Sequence, residues 1–431
     1  MILISNCRII TMSSAEECID NGYLIIEGKQ IAEIGTGDPP LRDFKETIDG
    51  TGKVALPGFV NAHTHASMTM LRGYADDLPL MIWLQEKIWP LESKLQEEDY
   101  YWGAMLAISE MIKSGTTCFA DMYFNMDQVA KAVNEAGIRA CLSRGMIGIG
   151  TGEDAKLAFD QSRELAKDWH GKDDGRINIM LGPHAPYTCP PDYLRQVISL
   201  SDEIGIGIQI HLAETENEVR NSYEAYGRTP VEFMEYLGLF SRPVLAAHCV
   251  HLTTNEIDIL AKNDVGVAHC AESNMKLASG IAPVSDMLTA GIKVGLGTDG
   301  ASSNNNLDMI EEMRACSFLH KVNKMDATVL PAYQTLEMAT VNGACALGLA
   351  DIGLLKTGNK ADIILVNLEQ PHLTPVYNVV SNLVYSARGA DVDTVFVDGK
   401  LLMKNRQLKT IDEKRVLREI QHRVERLKDN K

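Results

Sequence analysis

The feature that most constrains this chain is an eightfold alternation. Short runs rich in Ile, Val, Leu and Ala are separated by longer amphipathic stretches that carry helix punctuation. The runs centre on residues 55–61, 116–121, 139–144, 178–182, 206–212, 243–248, 265–269 and 293–297. Between them, Thr253 with Glu256 and Thr229 with Glu232 have the spacing of a capping box, and Gly238 and Gly291 stand where helices end. Strands joined by helical crossovers pair in parallel, because each crossover returns the chain to the same end of the sheet. Eight such units close into a (β/α)8 TIM-type barrel, and an α/β barrel is the fold class expected here. The rival architecture is an open doubly wound sheet, but no G-x-G-x-x-G or G-x-x-x-x-G-K-[ST] follows any strand to support it.

The two ends of the chain read differently. Residues 2–12, 23–28 and 30–34 alternate apolar and polar positions around a turn signal at Asp20-Asn21-Gly22. The same style returns at 361–366 and 392–397, followed by an Asp398-Gly399 turn. The expected organisation is a small composite β-sandwich domain from residues 1–54 and 359–410, a barrel over 55–358, and a C-terminal helix over 411–431. Across all 431 residues the net charge is −17, which disfavours a nucleic acid or an anionic membrane surface as partner. No stretch approaches eighteen consecutive apolar residues and the N-terminus lacks the cationic start of a secretory signal, so a soluble, cytoplasmic protein is expected, with homo-oligomerisation. The nine cysteines are scattered without a C-x-x-C pair and read as reduced thiols. A small neutral or zwitterionic molecule is the partner this surface accommodates best.

A barrel gathers the C-terminal ends of its strands on one face, where active sites are built. At those ends stand His63-Thr64-His65, His184, His211 with Glu214 three residues on, His248, His269 and Asp299. Residues two apart on a strand share a face, so His63 and His65 can hold one ion together. Adding His211 and Asp299 gives three imidazoles and a carboxylate, a set suited to a borderline divalent cation with one position left for water. A single histidine at a strand end is ordinarily a satisfied polar residue; the convergence of several is what points to a metal centre.

The motifs Gly58-Phe-Val-Asn-Ala-His63-Thr-His65, Gly182-Pro-His184-Ala-Pro, Ile210-His211-Leu-Ala-Glu214-Thr, Ala247-His248-Cys, Ser273-Asn274-Met-Lys-Leu-Ala-Ser279-Gly280 and Gly297-Thr-Asp299-Gly300 resemble the amidohydrolase superfamily. More closely, they resemble its 5-methylthioadenosine/S-adenosylhomocysteine deaminase branch, with 5′-deoxyadenosine deaminases and triazine chlorohydrolases as near relatives. The similarity runs over nearly the whole chain. It implies one divalent ion per chain, zinc first and iron(II) or manganese(II) as alternatives, held by His63, His65, His211 and Asp299. The carboxylated lysine that bridges two metals in other members has no counterpart in the fourth strand. The resemblance further implies a hydrolytic deaminase that converts an adenosine-type nucleoside to its inosine analogue and ammonia. Glu214 would protonate the purine ring, His248 would orient the attacking water, and Asp299 would accept its proton. Trp83, Glu92, Arg144 and His184, with Glu214 and Asp299, would contact the nucleoside: Glu92 the ribose hydroxyls, His184 a purine nitrogen, Arg144 the 5′ substituent and Trp83 a pocket wall. A chlorohydrolase acting on a heteroaromatic ring is the alternative activity, and a barrel without catalysis is the alternative class. Family members carry a proline beside the cysteine where this chain reads Cys270-Ala271-Glu272, and the role of His269 is open between structure and function.

Overall fold

Two nine-stranded sheets carry the computed structural model, which describes residues 1–15, 17–149 and 152–429. The chain opens with β1 (Ile2–Ile10), β2 (Cys18–Glu27), β3 (Gln30–Thr36), β4 (Glu46–Asp49) and β5 (Lys53–Pro57). It then runs through β6 (Phe59–His65), β7 (Thr116–Tyr123), β8 (Arg139–Met146), β9 (Ile177–Pro183), β10 (Ile208–Leu212), β11 (Val244–His248), β12 (Gly266–His269), β13 (Val294–Leu296) and β14 (Asp299–Gly300). It closes with β15 (Ile363–Asn367), β16 (Val392–Val397), β17 (Lys400–Lys404) and β18 (Gln407–Leu408).

Strands β6 to β14 form one parallel sheet that closes on itself. Nine strands make an eight-stranded barrel because β13 and β14 are halves of the eighth: β13 pairs with β12, and β14 pairs with β6 through Asp299 opposite Thr64 and Gly300 opposite His65. The break between them falls at Gly297-Thr298. A Cβ at Gly297 would lie 2.8 Å from the backbone nitrogen of His63, so only glycine lets the eighth strand pass the first ligand strand this closely. The barrel interior is lined by small side chains, among them Ala62, Ala120, Cys141 and Ala268. Both capping boxes form as expected, at Thr229 with Glu232 and at Thr253 with Glu256, and Gly238 ends its helix at φ 84°.

The other sheet joins both ends of the chain. Its hinge is β5, which pairs in parallel with β1 and antiparallel with β15, so neither terminal segment completes the sheet alone. The first edge then curls back: Ile31 N–H donates to the Asn359 carbonyl at 2.9 Å, enclosing an apolar core of Ile4, Ile9, Leu24, Ile31, Ile363 and Phe396. Arg139, at the start of β8 and buried, donates to Asp362 at 2.8 Å and to Asp398, which ties the barrel to this sheet. Two local readings of the sequence are corrected. The run 55–61 is two strands split at Gly58, with its first half in the terminal sheet. Asp20-Asn21-Gly22 is a β-bulge inside β2, with Asn21 at φ 49°, because an extra residue there shifts the register against β1. The C-terminal helix spans Glu413–Asp429 and sets Arg423 on the buried Asp99 carboxylate of the helix Glu97–Ser114 at 3.0 Å; residues 430 and 431 lie outside the described residues. No helix among the described residues is long and apolar enough to cross a membrane.

Candidate active site

The strand ends bring His63, His65, His184, His211, Glu214, His248 and Asp299 to one mouth of the barrel. The ring centroid of His63 lies 4.9 Å from those of both His65 and His211. Asp299 Oδ1 is 3.5 Å from His63 Nε2 and 3.2 Å from His65 Nε2. The neighbours of each ring decide which nitrogen faces inward. A backbone carbonyl can only accept, so His65 Nδ1–H donates to the Met122 carbonyl at 2.5 Å and His211 Nδ1–H donates to the His184 carbonyl at 2.6 Å. Both rings therefore turn Nε2 toward the centre, where these two nitrogens lie 3.3 Å apart.

Two imidazole lone pairs at that distance repel unless one positive charge lies between or beside them. The electrostatics make the same demand. Burial pushes His65 down, yet the Asp299 carboxylate overrides it and lifts the ring to about 9, while burial holds His63 down at about 4 and His211 well below its ordinary value. His63 Nε2 is buried without a hydrogen-bond partner, and the side-chain amide of Gln209 sits 2.8 Å from its Nδ1. Gln209 also touches Ser143 Oγ at 3.0 Å, so turning its oxygen to His63 and its nitrogen to the serine satisfies all three groups and frees His63 Nε2 as a donor of electrons. The set fits one divalent cation.

Asp299 is fixed by its other oxygen, which accepts from Ser273 Oγ at 2.6 Å and Ser303 Oγ at 2.8 Å. Burial pushes this carboxyl up, but the His63 and His65 rings outweigh it and keep it ionised. His248 Nδ1–H donates to Asn274 Oδ1 at 3.0 Å, leaving its Nε2 toward the centre beside His63 and Asp299. Glu214 is buried, touches Ser279 Oγ at 3.4 Å, and is held above the usual carboxylate range first by burial.

These groups open into a cavity at the barrel mouth, walled by aromatic and apolar side chains around a few convergent polar groups. Trp83, Glu92 and His184 line it with His65, Glu214 and Asp299. Trp83 sits in a π-helical turn, Trp83–Ile88, and pins its Nε1–H on the Ala75 carbonyl at 3.0 Å so that the ring serves as wall. Glu92 is buried and accepts from the Tyr123 hydroxyl.

Arg144 does not join them. On β8, Ser143 faces the barrel interior and Gly145 lines the cavity, so strand alternation turns Arg144 outward. There it donates to Gln161 Oε1 at 2.9 Å and packs over Phe124. It braces the wall and does not reach the cavity. Arg144→Ala is accordingly expected to lower kcat/KM by a similar factor for substrates with and without a charged 5′ tail; a loss confined to tailed substrates would place the guanidinium in the pocket after all.

His269 also points away from the mouth, toward the helix Met309–Lys324. Several residues that sequence reasoning passed over hold the site in place. Gln209 stands two before His211 and shares its face, a signal that strand periodicity carries. Glu218 is another: both of its oxygens accept backbone N–H groups at 2.9 Å, from Ala213 and Glu214, and so fix the turn that aims Glu214. Its Thr215-x-x-Glu218 spacing is that of a capping box, with the carboxylate diverted to the turn. Glu218→Gln sets an NH2 against one of those N–H donors. Turnover is expected to fall roughly 10-fold with the metal content unchanged, and wild-type turnover would mean that Glu214 is held by other contacts.

A closed parallel barrel with an imidazole-carboxylate centre at its C-terminal mouth is the layout of a metal-dependent hydrolase. The chain belongs to the amidohydrolase family, whose model matches residues 54–402. It is 60% identical over 418 residues to a 5-methylthioadenosine/S-adenosylhomocysteine deaminase of Syntrophomonas wolfei subsp. wolfei, covering 96% of each chain. It is 56% identical to a protein of the same name from Pelotomaculum thermopropionicum, covering 99% of this chain and 98% of that one. Among solved structures, a zinc-bound adenosine deaminase from Xanthomonas campestris superposes with a TM-score of 0.95 at 35% identity, covering 99% and 98% of the two chains. A zinc-bound atrazine chlorohydrolase from Arthrobacter aurescens TC1 follows at 0.92 and 25%, covering 98% and 100%.

Proposed function

We propose that this protein is a zinc-dependent hydrolytic deaminase that replaces the 6-amino group of an adenosine-type nucleoside by oxygen, releasing ammonia. The observation that carries the reading is a buried, protonatable carboxyl, Glu214, facing the same cavity as the His63, His65, His211 and Asp299 donor set. An amine is a poor leaving group and needs proton delivery, whereas displacement of chloride does not. Relatives more than half identical that bear the deaminase name support the same choice.

In this reading His63, His65, His211 and Asp299 hold one ion. A divalent cation so held lowers the pKa of water to about 7 and supplies the nucleophile at neutral pH. The chain's own groups do the rest. Glu214 gives its proton to ring N1 as C6 becomes tetrahedral. Asp299, ionised and anchored by Ser273 and Ser303, accepts the water proton and passes it to the departing amine. His248, fixed by Asn274, orients the water. Glu92 takes the ribose hydroxyls, Trp83 covers the pocket, and His184 meets a purine ring nitrogen. 5-Methylthioadenosine, S-adenosylhomocysteine, 5′-deoxyadenosine and adenosine are the substrates to rank.

The test is ammonia release from each of these, with free adenine and a chlorotriazine as controls. The expected result is turnover of the nucleosides and little with adenine, which cannot engage Glu92. Chloride release from the triazine without ammonia from any nucleoside would overturn the assignment.

A further inference from the structure

A second group of metal-type donors lies outside the barrel mouth. On β12, Ala268 faces the barrel interior, so His269 faces the helix layer and meets Met309–Lys324. That helix presents Cys316 and His320, four residues apart and therefore on one face. The ligating atoms of His269, Cys316 and His320 all lie within 4.8 Å of one another, and all three residues are fully buried. His269 Nε2 and His320 Nε2 are 3.2 Å apart.

As a purely polar cluster this arrangement is poorly satisfied. One hydrogen bond can join the two rings, yet the Nδ1 atoms of both are buried without partners. The Cys316 thiol is buried and, like those of Cys118 and Cys141, makes no side-chain hydrogen bond among the described residues. Buried polar groups left this way are desolvated without compensation, which destabilises the fold. A cation that takes two imidazole nitrogens and a sulfur returns that cost in bonds, and a donor set of two imidazoles with one thiolate selects a thiophilic d10 ion.

We propose that His269, Cys316 and His320 form a second cation site, distinct from the catalytic centre, that takes zinc(II) as the chain folds. The site pins strand β12 to the helix behind it. Binding releases the Cys316 proton to solvent as sulfur becomes the ligand. The catalytic donor set contains no sulfur, so a sulfur-to-metal signal does not come from it, and the part of that signal lost in Cys316→Ser reports on this site.

The experiment uses the full chain produced in medium with cobalt(II) as the supplied transition metal, so that the ion is present during folding. The expected result is a sulfur-to-cobalt charge-transfer absorption and two cobalt ions per chain. Cys316→Ser should abolish that absorption and lower the content to one ion. His320→Gln, which keeps the thiol, should also lower it to one, so the outcome does not hang on a single variant's folding. One ion per chain in folded wild type with no charge-transfer absorption overturns the proposal. So does retention of the second ion in both variants, since it would then lie elsewhere.

Discussion

Alanine in place of His63 or Asp299 is expected to give a folded protein that has lost its ion and its turnover together. His63 is wholly buried and its Nε2 has no hydrogen-bond partner among the described residues, so deleting the ring removes one of the four donors and leaves a void in its place. Asp299 contributes the only carboxylate oxygen among the described residues within 3.5 Å of the His63 and His65 Nε2 atoms. Without it a divalent charge would face neutral imidazoles in a dry pocket, and removing one partner of a buried ionic pair costs about 3–5 kcal/mol. Without the ion, water returns from a pKa of about 7 to about 15.7, so turnover should fall by more than ~10⁴-fold, to the assay floor. Elemental analysis and ammonia release on the same preparation check this, with circular dichroism to confirm folding. Asp299→Asn separates charge from shape, since the amide can still accept from Ser273 and Ser303. An Asp299→Ala protein that kept one ion per chain and turnover within about tenfold of wild type would remove Asp299 from the ligand set.

Much of this centre was legible in the sequence because two strict periodicities intersect there. Strand alternation puts His63 and His65 on one face, and barrel topology sends every strand end to one mouth. The four metal-type donors, Glu214 and His248 therefore converge without any knowledge of loop shape. On β8 the small residues Ser143 and Gly145 face inward, and the guanidinium of Arg144 between them lies on Gln161.

Other features were hidden for definite reasons. An unbroken apolar run masks the change of sheet at Gly58, because β5 and β6 both bury what they carry. Asn-Gly signals a left-handed residue without saying whether the chain reverses there, and in β2 it bulges. The eighth strand divides at Gly297 because His63 lies against it, a contact between residues far apart in the chain. The departure at Cys270-Ala271-Glu272 also has a local account. The Ala271 and Glu272 N–H groups both donate to the buried Glu312, at 2.5 and 3.3 Å, and a proline at position 271 could not supply its share.

Glu214→Gln is expected to keep the ion and lower kcat by about 10²–10⁴. The amide preserves size and can still accept from Ser279 Oγ, the contact at 3.4 Å, so the cavity should keep its form. Glutamine has no proton to release, and N1 would have to become more basic without help as C6 turns tetrahedral. Glu214 is not among the groups that converge on the ion, so metal content should match wild type. The pH dependence should change as well. Burial raises the Glu214 pKa, so the acid form persists to higher pH than an ordinary carboxyl allows, and wild-type turnover declines as that proton is lost. The variant should lack this alkaline limb. Because Glu214 acts on N1 and Asp299 on the departing amine, the two variants separate the steps: Glu214→Gln should keep one ion per chain, whereas Asp299→Ala should lose it. Near-wild-type turnover in Glu214→Gln, or an alkaline limb that persists in the variant, would mean that Glu214 supports the pocket and does not deliver the proton.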